Sequence, residues 1–223
     1  MFKFWGDGSQ VAKDLVDSIV VRSTENFNWT FIFILAVVFY VYWTEIQKKE
    51  FKVVSAGLAL YGVHWLYEIC NAIIARIFGY PLWSVSNDST TFILLIGVCW
   101  ELSMMFSLAG IISYKMLPDD KNKRYFTANG TKKGISCKLV GAIEMALLFA
   151  LFESFLAGTS NNSFIWVYKW WGVIPVFITT YVPFFLASNY VPDMEPKKRK
   201  AFLITEWALV AILLIVLIPL GVI

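Results

Sequence analysis

Apolar residues run along this chain in blocks of about twenty instead of alternating with polar ones, and six blocks stand out: 29–46, 51–78, 90–116, 137–158, 164–190 and 201–223. Each can cross about 30 Å of hydrocarbon at roughly 1.5 Å rise per residue. The expected fold is all-α: a polytopic membrane helix bundle of about six transmembrane helices. Residues 1–28 break the pattern. There Val11, Leu15, Ile19 and Val20 recur at helical spacing among Lys13, Asp14 and Asp17, behind a cap at Asp7 or Ser9. This predicts a short amphipathic helix lying on the membrane surface or on a partner. The chain thus divides into an amphipathic N-terminal segment, 1–28, and a six-helix transmembrane bundle, 29–223.

The connections carry the topology. Two of them, 79–89 and 158–163, are short, turn-rich and almost free of charge, as tight hairpins are. The other three hold most of the 19 Lys and Arg: Lys48, Lys49 and Lys52; then Lys115, Lys121, Lys123, Arg124, Lys132, Lys133 and Lys138; then Lys197, Lys198, Arg199 and Lys200. The positive-inside rule puts these three in the cytoplasm and both chain termini outside or in a lumen. Trp29 and Trp83 are expected in an outer aromatic belt, with Tyr42, Trp43, Tyr114 and Tyr190 in an inner one. The loop 119–134 reads as a solvated cytoplasmic face.

Composition narrows the chemistry. Charged residues make up 16% of the chain and apolar ones 58%, so the bilayer itself is the first partner. His64 is the single histidine, which excludes multi-histidine iron or zinc centres and bis-histidine haem. Three glutamates and one histidine could still ligate a metal. The di-iron pattern, however, needs Glu-x-x-His twice, and this chain has His-x-x-x-Glu once. Neither metal nor cofactor is expected. Cys70, Cys99 and Cys137 show no CxxC spacing and read as packing residues. Nothing marks a nucleotide-binding loop or a nucleic-acid surface.

What remains are ionisable groups inside apolar blocks, where each costs several kcal/mol unless paired, protonated or facing a cavity. Counted from the outer helix ends, Glu68, Glu101 and Glu144 lie at depths of roughly 15, 16 and 21 Å, which predicts convergence on one central layer. His64, Glu68, Asn71 and Tyr61 fall at spacings of three and four and share a face. Trp100, Met104 and Met105 flank Glu101 with soft groups suited to an apolar ligand. Trp170 and Trp171 could stack on such a ligand or stabilise a cation. Glu153 points away from Glu144 and is expected near the outer surface, snorkelling or pairing with Lys169 or Arg76. Pro175 and Pro183 predict kinks beside a cavity.

Crowded, desolvated carboxyls with a histidine beside them suit acid–base chemistry. The run Val63-His64-Trp65-Leu66-Tyr67-Glu68, followed by Val98-Cys99-Trp100-Glu101, resembles the emopamil-binding and sterol-isomerase family. That resemblance implies an intramembrane site in which His64, Glu68 and Glu101 shift a double bond through a carbocation. Integral-membrane terpene cyclases resemble the chain more weakly, through Glu68. The expected function is therefore an acid–base isomerase or cyclase of a lipophilic, isoprenoid or sterol-like substrate, with His64, Glu68, Glu101 and Glu144 as catalytic candidates. Tyr61, Asn71, Trp100, Met104, Met105, Trp170 and Trp171 are the candidate substrate contacts. Two alternatives stay open: an accessory subunit docked on membrane-protein partners, and a small proton-coupled transporter.

Overall fold

The computed structural model describes residues 2–25, 27, 29–87, 92–127, 134–159 and 163–223. Thr90, Lys132 and Lys133 of the expectations above lie outside them. A short helix, α1 (Gln10–Asp17), precedes a bundle of six: α2 (Thr30–Gln47), α3 (Phe51–Phe78), α4 (Trp100–Met116), α5 (Cys137–Ala157), α6 (Val173–Asp193) and α7 (Pro196–Leu217). Four of these, α3, α5, α6 and α7, are long and apolar enough to cross a membrane, and α2 contributes a shorter apolar helix. Successive helices run up and down, so the basic connections gather at one end of the bundle.

The third apolar block departs from its expected form. Helix α4 begins only at Trp100, because β2 (Ile93–Leu95) and β3 (Val98–Cys99) fold into a hairpin ahead of it. Ile93, Val98 and the turn around Gly97 suit a strand pair better than a helix. With 17 residues, α4 is about 25 Å long. The fifth block is also split, since Phe164–Trp166 forms a strand, β6, before α6 starts.

Strand β6 pairs antiparallel with β1 (Trp83–Val85) across the end of the bundle. Trp83 faces Trp166 directly, and Val85 faces Phe164. Directly paired residues project from the same side of a sheet, so both indoles turn toward the bundle. Ser84 and Ile165 then face the other way. There Ile165 and Val167 pack on Ala12 and Val16 of α1. Helix α1, capped by the Ser9 hydroxyl, therefore lies on this cap. Residues 3–8 strap the assembly down: Lys3 N–H donates to the Ser154 carbonyl, Gly6 to Trp171, Asp7 to Trp166 and Gly8 to Val167.

At the opposite end a small hairpin joins β4 (Arg124–Tyr125) to β5 (Ile135–Ser136). Asp193 gathers four helices there. Its carboxylate accepts from Lys52 of α3 at 2.8 Å and Tyr114 of α4 at 2.9 Å, and pairs with Lys138 of α5 at 2.5 Å.

Candidate functional site

Beneath the cap, two carboxylates on different helices face one cavity. Its walls include His64 and Glu68 from α3, Phe106 from α4, Phe149 and Glu153 from α5, and Thr180, Tyr181 and Phe184 from α6. Trp83 and Phe164 close it from the cap. The cavity measures about 30 Å³, room for roughly two water-sized groups. Leu102 and Met105 of α4 and Phe152 and Leu156 of α5 complete the lining. Met105 and Phe152 are both exposed on the bundle surface, so the cavity opens sideways between α4 and α5 toward lipid.

Each carboxylate is held by an indole from the paired strands. The Trp83 Nε1–H is shared between Glu68 Oε1 and Oε2 at 3.2 Å. Trp166 Nε1–H donates to Glu153 Oε1 at 2.6 Å, and the Tyr181 hydroxyl donates to Oε2 at 2.5 Å. A neutral donor on a charged acceptor is worth about 1.5–3 kcal/mol. These bonds fix both carboxyls without neutralising either by a cation. Among the described residues, no Lys or Arg lines the cavity.

Glycine at 97 makes the Glu68 arrangement fit. A Cβ there would fall 2.4 Å from Glu68 Oε2 and 2.6 Å from Trp83 Nε1. Asn71, one turn beyond Glu68, ties the cap to α3: its amide donates to the Trp83 carbonyl at 2.8 Å and its oxygen accepts from Leu82 N–H at 2.8 Å. Asn71 therefore acts as a backbone anchor and does not line the cavity.

His64 is wholly buried and stacks on Phe106 with 4.2 Å between ring centroids. Its Nε2 stands 3.5 Å from Glu68 Oε1, outside hydrogen-bond geometry, so both ring nitrogens lack a bonded partner among the described residues. The Thr180 hydroxyl, also in the cavity wall, lacks one too. Thr180 and Tyr181 come from a π-helical stretch, Val176–Tyr181, between Pro175 and Pro183. Proline 183 cannot donate to the preceding turn, and the wider π turn accommodates that break. This is the irregularity the two prolines announce in the sequence.

The expected constellation is thus partly rebuilt. His64 and Glu68 share the site, but Glu101 and Glu144 do not line it. Glu101 falls in the first turn of α4, half-buried, because the helix starts later than the apolar block suggests. Glu144 is exposed and lines a separate cavity toward the basic end, with Met116, Gly141 and Leu148. The site sits under the cap, and α3 runs past Glu68 for ten further residues beside it. Met105 is at the mouth. Met104, Trp100 and Tyr61 line a different groove beside α2, where the Tyr61 hydroxyl shares a hydrogen with Ser103 at 2.7 Å. Trp170 is exposed, whereas Trp171 is buried and stacks on Trp83 at 5.6 Å, one ring removed from the cavity.

Glu153 is the residue that sequence reasoning misplaced. It is 6% exposed and occupies the place expected of Glu101. Trp83 reads in the sequence as an interfacial aromatic, and no local pattern marks Trp166 or Tyr181 as partners of a carboxylate. The usable signal was the short segment Phe164–Trp166, whose paired tryptophan lies thirteen residues beyond a glutamate on the preceding helix.

Comparison with known sequences fits this membrane architecture. Residues 11–219 match the model of an uncharacterized membrane protein family. The chain belongs to that family. An uncharacterized protein of Archaeoglobus fulgidus is 33% identical over 201 residues, which cover 88% of this chain and 91% of the relative. No solved structure matches. Neither match supports the sterol-isomerase resemblance, which rests on the His64 and Glu68 helix and the run before Glu101. The protein is an integral membrane protein, and its contact with the bilayer follows from that.

Proposed function

We propose that this protein is an intramembrane acid–base enzyme that moves a double bond in a lipophilic, isoprenoid-like substrate. One observation carries the reading: Glu68 and Glu153, from separate helices, face a single aromatic-walled cavity that opens to lipid. In the reaction, one carboxyl delivers its proton to an alkene carbon, forming a C–H bond and leaving a cation on the neighbouring carbon. The other carboxylate removes a proton from the carbon beyond. The double bond shifts, the two carboxyls exchange protonation, and no electrons are gained or lost.

The cavity supplies what such a cation needs. Phe106, Phe149 and Phe184 offer ring faces, and a desolvated cation over an aromatic ring gains about 2 kcal/mol. Trp83, Trp166 and Tyr181 hold the carboxyls in place so that little reorganisation accompanies transfer. His64, beside Glu68, adjusts that carboxyl electrostatically.

Deuterium exchange tests the proposal. Purified protein in vesicles carrying a polyprenol and a sterol, suspended in deuterated water, is expected to place deuterium on carbon in one of them. Glu68→Gln and Glu153→Gln should each slow incorporation at least about 100-fold, the usual contribution of a positioned acid or base. Incorporation no faster than in protein-free vesicles, or wild-type rates in both variants, would remove the proposal.

A further inference from the structure

The space between Glu68 and Glu153 is too small for a whole lipid, at about 30 Å³. A substrate must therefore keep most of its skeleton outside that chamber. The surface beyond the mouth is shaped to receive it. Helices α4 and α5 touch each other sparingly, while α6 packs against both from behind and floors the seam between them. Phe149 and Phe185, with ring centroids 5.0 Å apart, mark that floor near the site.

Along the same seam toward the basic end lies a second cavity of about 260 Å³, walled by Met116 of α4, by Leu117 just beyond it and by Gly141, Glu144, Met145 and Leu148 of α5. Between the two cavities Ile112 is exposed on α4, on the face that carries Met105 and Met116. Gly141 keeps the lower part open, since a Cβ there would come within 2.7 Å of Leu117. From Leu156 at the upper cavity to Val140 at the lower one is sixteen residues of α5, or about 24 Å.

Charge narrows the occupant. Glutamates line both cavities, and among the described residues neither is lined by Lys or Arg. An anionic lipid would face like charge at both ends of the seam.

We propose that the α4–α5 seam is a chain-binding groove that takes the extended hydrocarbon tail of an uncharged single-chain lipid, whose reacting end enters between Glu68 and Glu153. This rests on the acid–base reading of the site. The groove sets a minimum chain length for full occupancy and excludes fatty acids and prenyl diphosphates in favour of alcohols and hydrocarbons.

Two photoreactive probes test it: hexadecanol and octanol, each with a diazirine on its last carbon, added to the protein in nanodiscs. After illumination, peptide mass spectrometry locates the adducts. The long probe is expected to label residues 140–148 several-fold more than the lipid-facing residues of α2 and α7, and the short probe to label Met105 and Phe152. Unlabelled hexadecanol should compete and palmitate should not. Leu148→Trp, at an exposed position, should abolish long-probe labelling of the seam and spare the short probe. Long-probe adducts spread evenly over α2, α5 and α7 would overturn the groove while short-probe labelling at the mouth left the site standing. Absence of short-probe adducts at Met105 and Phe152 would remove the site and the groove together.

Discussion

Trp166 and Glu153 meet at 2.6 Å, indole N–H to carboxylate, with the indole supplied by a strand and the carboxylate by the last turns of a membrane helix. The paired Trp83 makes the equivalent bond to Glu68. One antiparallel register thus positions both acidic groups, and the cap is part of the site and not merely a cover. If so, the cap and the chemistry should fail together. Trp166→Phe removes the donor together with the five-membered half of a fully buried indole, and should cost at least about 1.5–3 kcal/mol of stability. Circular dichroism in detergent should show a melting temperature lower by several degrees, with deuterium exchange impaired even well below it. An unchanged melting curve would mean that the bond contributes nothing net.

Gly97 sits where no side chain fits. Gly97→Ala should push the hairpin turn away from Glu68 and Trp83, at a cost of about 1–3 kcal/mol for overpacking. The expected signature is a larger loss in the exchange assay than in thermal stability. Equal activity in the variant would show that the turn yields without disturbing the carboxylate.

Asn71→Leu should release the cap while leaving the helices intact. Leu82 N–H and the Trp83 carbonyl would lose their partners, each costing about 1–3 kcal/mol if left buried. Hydrogen–deuterium exchange should accelerate at amides of 82–85 and 164–166 and stay slow within α3 and α5. Uniform acceleration across the protein would instead indicate global destabilisation.

At the other end, Asp193→Ala should be more damaging than removing a surface ion pair. The Lys138 side chain is only 10% exposed, and without Asp193 its charge is buried and unpaired, a loss of about 3–5 kcal/mol. The double change Asp193→Ala with Lys138→Met should recover part of the melting temperature. A double variant no more stable than Asp193→Ala alone would contradict this account.

Orientation is open to direct measurement. If the basic connections face the cytoplasm, as the positive-inside rule expects, Lys198→Cys should react with a membrane-impermeant maleimide only in inside-out vesicles, and Asp17→Cys, on α1, only from the outer side. The opposite pattern would invert the topology.

Hydropathy made the helices legible because a lipid-spanning segment must be long and apolar whatever it packs against. It also made His64 and Glu68 legible, since their four-residue spacing fixes a shared face. It could not separate helix from strand within 90–99 or 164–166, where apolar residues are buried in either form. That ambiguity placed Glu101 in mid-helix, whereas it stands in the first turn of α4. Glu144 failed for another reason: depth along a helix says nothing about which way the residue faces, and it faces outward. Glu153 became visible only through its partners. Trp166 lies in the next element and Tyr181 in α6, and their meeting depends on long-range packing that no local pattern encodes.

The π-helical stretch Val176–Tyr181 sets a rule for how this chain can vary. It holds Tyr181 against Glu153 by accommodating more backbone per turn than an α-helix does. Deleting a single residue inside it would restore regular winding and leave the flanking helix in phase, because a π turn takes up one extra residue. The wall residues of the stretch itself, Thr180 and Tyr181, would shift away from the cavity and from Glu153, while Phe184 stayed beside His64. Length in this stretch should therefore be held constant among sequences that keep the site, even where the side chains facing lipid drift freely.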